Sequence, residues 1–143
     1  MILPSPAAGF DEPFAMLHAC HERVERSLAL LERLATHVAQ HGADAQARDA
    51  ARDVLRYFDI AAPQHHEDEE RHVLPALRAQ GQAALADRIA GDHVAMSAAW
   101  QALRPWLLAV QQGDAGVVLP DLPRFAAHYR EHIALEEGSV FAP

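Results

Sequence analysis

Residues 63–75, Pro-Gln-His-His-Glu-Asp-Glu-Glu-Arg-His-Val-Leu-Pro, place His65, His66 and His72 beside Glu67, Asp68, Glu69 and Glu70 within about three helical turns. A solvated charged face has no need of the histidines, and an apolar core does not admit unpaired acids. A cation site uses both residue types, imidazole as a neutral nitrogen donor and carboxylate to offset the positive charge. The stretch therefore constrains the fold. Whatever the chain forms must bring matching ligands to these residues.

The remainder reads as helix. Asp11 is an N-cap with Glu12 and Pro13 in the first turn. Phe14, Leu17, His21, Val24, Leu28, Leu31, Ala35 and Val38 then recur at steps of three and four, one stripe of a long amphipathic helix that stops at Gly42. A second helix runs from Asp44 to about Gln80 with the stripe Ala51, Leu55, Phe58, Ala62, His65, Glu69, Val73, Leu77. Pro63 is expected to kink it or open a bulge just before the histidine pair, and Pro75 to disturb it again. A third covers about 82–112, with Leu85, Ile89, His93, Met96, Trp100, Leu103, Leu107 and Val110 inward, and 112–116 forms a turn. A fourth begins near Asp121, a further N-cap, with Leu122, Phe125, Tyr129, His132, Glu136 and Val140 inward. No segment alternates as a strand does. The expected fold is all-α, an up-down-up-down four-helix bundle, with an irregular arm over 1–10 and a single domain over 11–143.

Bulk properties exclude several classes. The formal net charge is −8 with 12 basic residues, which argues against nucleic acid or an anionic membrane as partner. No uninterrupted apolar run approaches the roughly 18 residues of a membrane span. The first ten residues lack the basic region and apolar run of a signal peptide. The lone Cys20 permits no internal disulfide and fits a reducing, cytoplasmic compartment; it carries no nucleophile role. Ten histidines are the anomaly.

Six polar residues interrupt the inward stripes: His21, His65 and Glu69, His93, and His132 and Glu136. The second and fourth helices each carry His-x-x-x-Glu, a spacing that puts both side chains on one face a turn apart. His21 or His93 alone would read as a core histidine; beside two such pairs each reads as a ligand. Two buried carboxylates and four imidazoles with no basic residue on any stripe would destabilise the fold by several kcal/mol. Two divalent cations with one hydroxide bring the site close to neutrality, and a carboxylate can bridge two ions. Histidine-rich coordination completed by oxygen suits iron, while residue type also admits zinc, manganese or cobalt.

The chain here resembles the hemerythrin-like, HHE cation-binding domain family over about residues 14–143. The resemblance rests on Cys20-His21-Glu22-Arg23, on His65-His66-Glu67-Asp68-Glu69-Glu70 with Val73-Leu74-Pro75, on Asp92-His93, and on His132-Ile133-Ala134-Leu135-Glu136-Glu137. A proline six residues after the first glutamate matches Glu69 and Pro75, which selects His65/Glu69 over His66/Glu70. The resemblance implies a four-helix bundle holding two iron ions bridged by Glu69, Glu136 and an oxo or hydroxo group. It departs at one place. A frequent further ligand, a second histidine on the third helix, is here Ser97. His18, His66, Glu70, His72, His128 or water are the replacements to weigh.

Three functions follow. The first is binding or sensing of O2, NO or peroxide; no output domain is read in the chain, so it binds, scavenges, or reports to a separate protein. The second is a peroxidase-like or oxidase-like enzyme, or a factor that repairs iron centres. The third is a metal store or a metal-stapled structural bundle. Phe58, Met96, Trp100, Phe125 and Tyr129 read as core around the pocket. His37 and His41 read as surface. Trp106 and Leu108, partly off the third stripe, mark a candidate homodimer patch.

Overall fold

The computed structural model describes residues 12–139, with side chains from residue 19 onward. The arm over 1–10, the Asp11 cap, and the side chains of Phe14, Leu17, His18 and Val140 lie outside the described residues. Four long helical rods make up the structure, and no strand occurs among the described residues. The first is Glu12–His41, the third Ala83–Gln111 and the fourth Leu122–Ser139. The second, residues 45–79, is continuous but not uniform. None of the helices is long and apolar enough to cross a membrane.

Local chemistry sets the ends. Asp44 accepts a hydrogen bond from the Ala47 amide at 2.9 Å and starts the second helix. Asp121 accepts one from the Arg124 amide at 3.1 Å and starts the fourth. Gly42 and Gly81 close the first and second helices at φ 74° and 78°, where a side chain would be strained. The two short connections fold the first three helices back on one another. His37 is half-buried rather than free on the surface; its Nε2 lies 2.9 Å from Asp44 and ties the first connection together.

Each proline of the second helix is preceded by a π-helical turn, Tyr57–Ala61 before Pro63 and Glu69–Val73 before Pro75. Proline lacks the amide that would bond four residues back and its ring crowds that carbonyl, so the ladder takes up one extra residue. The inserts also explain the inward stripe. His65, Glu69, Val73 and Leu77 step by four, which on an ideal α-helix would drift by about 120°. The second π turn absorbs much of that drift and all four stay buried. Pro105 sits inside the third helix with no such turn.

The core forms in two parts. A larger apolar cluster includes Leu28, Leu31, Phe58, Met96, Trp100, Leu107 and Phe125, and a smaller one holds Val73, Leu74, Leu77, Ala86 and Ile89. Burial of each large side chain contributes about 1.5–3 kcal/mol. On the second and third helices His65, Glu69 and His93 come between the two clusters, while His21, His132 and Glu136 lie beyond the larger cluster on the first and fourth. The expected dimer patch is not present: Trp106 is 3% exposed and belongs to the larger cluster, and Leu108 packs against it. Trp106 lies one turn from Leu103 and Val110, so the buried face of the third helix is wider than one stripe.

Candidate metal centre

All six polar residues of the inward stripes are buried, Glu69 and Glu136 completely. No basic side chain neutralises the two carboxylates; their neighbours are imidazoles. Their ligand atoms form two sets, each lying within 4.8 Å. One is His21, His65, Glu69 and Glu136, and the other is Glu69, His93, His132 and Glu136. Both carboxylates belong to both sets. Antiparallel packing achieves this, because His21 near the start of the first helix meets Glu136 near the end of the fourth.

The Nε2 atoms face inward. His21 Nε2 is 2.8 Å from Glu136 Oε1, and His93 Nε2 is 2.8 Å from Glu69 Oε1. His65 Nε2 stands 3.6 Å from Glu69 Oε1, and His132 Nε2 3.3 Å from Glu136 Oε1. The outward nitrogens meet a second ring of acids. His93 Nδ1 is 2.9 Å from Glu70, His132 Nδ1 is 2.9 Å from Asp92, and His21 Nδ1 is 3.5 Å from Glu137. An outer carboxylate of this kind fixes ring orientation and tautomer and makes the inner nitrogen a stronger donor.

The protonation states of His21, His65 and Glu69 suit cation binding. Burial lowers the pKa of His21, and it pushes His65 down to about 4, so both are neutral donors at pH 7. Burial acts against the Glu69 carboxylate, but the hydrogen bond from His93 and the nearby His132 and His65 imidazoles outweigh it and hold Glu69 ionised. Burial also opposes charge on His93, yet the bonds to Glu69 and Glu70 prevail and raise its pKa.

The residues fit a cation by a direct observation. Glu69 Oε2, Glu136 Oε2 and His132 Nε2 are buried without a hydrogen-bond partner. Buried polar atoms are normally satisfied, and three orphans aimed into one polar layer need a ligand that protein atoms do not supply.

Of the other histidines considered, His66 is half-buried and stacks on His93, ring centroids 4.2 Å apart and 13° from parallel. It belongs to neither set. His72 is exposed, and His128 reaches only Asp92, at 3.9 Å. Ser97 is exposed. The outer acids Asp92 and Glu137 appear in the sequence only within the motifs that carry the resemblance, beside a candidate ligand, and no role was expected of them.

A family model for the hemerythrin HHE cation-binding domain matches residues 12–142. An uncharacterized protein of Haemophilus influenzae is 34% identical over 140 residues, covering 94% of this chain and 80% of that protein. No solved structure matches significantly.

Proposed function

The chain belongs to the hemerythrin HHE cation-binding family, and from that premise we propose that it holds a non-haem di-iron centre that binds O2 or a related small molecule, NO or peroxide. The observation that carries this reading is the sharing of both buried carboxylates, Glu69 and Glu136, by two four-residue ligand sets. Two separate mononuclear sites would not need common carboxylates. One ion would be held by His21 and His65 and the other by His93 and His132, with Glu69 and Glu136 available to both.

Iron bound there would supply the electrons and the binding affinity for a small ligand. The chain supplies the rest. Glu70, Asp92 and Glu137 hold three of the imidazoles with Nε2 inward. Full burial of Glu69 and Glu136 keeps bulk water from the carboxylates. Ser97, one turn after His93, stands where the resemblance implies a further histidine ligand.

The test is to load the anaerobic, metal-free protein with ferrous iron, count metal per chain by elemental analysis, and follow the visible spectrum as air or NO is admitted. Two irons per chain and new charge-transfer bands are expected, reversed under vacuum for a binding protein. One iron or none, or a spectrum silent to both gases, refutes the reading and leaves metal storage or structural stapling.

A further inference from the structure

We propose that a cavity between the second, third and fourth helices is the route by which a small uncharged ligand reaches the second ligand set, and that the His66 ring is its inner door. The proposal rests on the di-iron reading above and adds the path and the gating residue.

The cavity has a volume of about 100 Å³. It opens beside the exposed Ser97, and its walls are Phe58, Ala62, Trp100 and Tyr129, each 4% exposed or less. His66 also lines it, and the His66 ring stacks on His93 at 4.2 Å. One aromatic ring therefore separates the cavity from a member of the second set. The space exceeds the roughly 30 Å³ share of one water, so it accepts a diatomic gas or peroxide. Asp59, Ser97 and Gln101 also line it, so an anion would meet the Asp59 carboxylate there.

Wall and door are held differently. Trp100 is fixed by its indole N–H, which donates to Asp59 at 2.9 Å, and Asp59 is fixed in turn by Arg104 at 3.0 Å. Phe58 packs on Trp100, Phe125 and Tyr129 with centroids 5.0–5.5 Å apart. His66 makes ring contacts but no hydrogen bond among the described residues. No hydrogen bond has to break for this ring to change rotamer.

A route differs from a ligand in what it changes. It alters the barrier but neither end state, so association and dissociation rates move together and Kd stays constant. NO binding to the ferrous-loaded protein is followed by stopped flow in three variants. Ser97→Phe, which plugs the mouth from an exposed position, is expected to slow both rates tenfold or more. His66→Ala is expected to speed both. His66→Phe keeps the stacking ring and is expected to retain two irons and near-wild-type rates. Loss of one iron in His66→Phe would make His66 a metal ligand and overturn the door. A changed Kd with unchanged rates of entry in Ser97→Phe would overturn the route.

A second arm needs no metal. Trp100 lines the cavity, so dioxygen quenching of tryptophan fluorescence in the metal-free protein is expected to fall at least twofold in Ser97→Phe, with Trp100→Phe supplying the Trp106 background. Unchanged quenching overturns the route by itself, whatever the metal does. A wild-type protein that quenches as expected but binds neither iron nor NO overturns the di-iron reading, and the purpose of the route with it.

Discussion

Asp92 precedes His93 in the chain, yet its carboxylate serves His132 on the neighbouring helix, 2.9 Å from Nδ1. The same crossing recurs between Glu70 and His93. Each outer acid adjoins one candidate ligand in sequence and orients another in space. Loss of an outer acid should therefore weaken the metal set of its spatial partner.

Asp92→Ala is expected to lower metal affinity at the second set by about 10–100-fold, the usual effect of removing an outer-shell carboxylate, while the first set keeps its ion. Competition titration with a chelator of known affinity reads this out. Equal weakening of both sites would contradict the pairing.

His132→Ala should remove one metal equivalent per chain while the fold persists, because the deletion empties one position of the second set and leaves His21, His65, Glu69 and Glu136 together. Elemental analysis with circular dichroism is sufficient. Two equivalents in the mutant would show that the fourth helix has been assigned wrongly.

Metal affinity should fall with acidity. His93 has a raised pKa because Glu69 and Glu70 favour its charged form over the opposing effect of burial. Below that pKa a cation must displace a proton from Nε2, which lowers apparent affinity about tenfold per pH unit per proton. Above it the dependence flattens for this group. Calorimetry at pH 6, 7 and 8 in buffers of different ionisation enthalpy would show proton release on the acid side. No release at pH 6 would count against the Glu69–His93–Glu70 arrangement.

Asp59→Ala is expected to destabilise the protein by about 1–3 kcal/mol, since the part-buried Trp100 indole loses its acceptor. Burial acts to raise the Asp59 pKa, but bonds from Arg104 and Trp100 prevail and lower it. A carboxyl depressed on folding stabilises in full above its unfolded pKa of about 3.9, and that contribution is lost as pH falls through the folded value. Urea unfolding should therefore give a wild-type advantage that is constant from pH 7 to about pH 4.5 and shrinks only below. An advantage that vanished already at pH 6 would mean another group is responsible.

Much of the bundle was legible because helical periodicity and end signals are local. Asp44, Gly42, Gly81 and Asp121 mark ends by their own chemistry. Pro63 and Pro75 announce disturbances that became the two π turns. The width of the buried face on the third helix was less legible. A single stripe was read through Leu103 and Leu107, and Trp106 was left outside it, although a helix enclosed by neighbours on both flanks buries more than one row.

Sequence by itself determined the all-α class, the inward stripes, and the six residues on them that share one layer, because the 3.6-residue repeat and the chemistry of histidine and glutamate beside apolar neighbours are properties of each helix alone. Tertiary structure decided that Glu69 and Glu136 belong to both candidate ligand sets, that Asp92 lies against His132, and that His66 lines a cavity and stacks on His93. Those relations depend on the axial offset and rotation of one helix against the next. Packing of Phe58, Trp100, Phe125 and Tyr129 across three helices sets that offset jointly, and no single helix carries it.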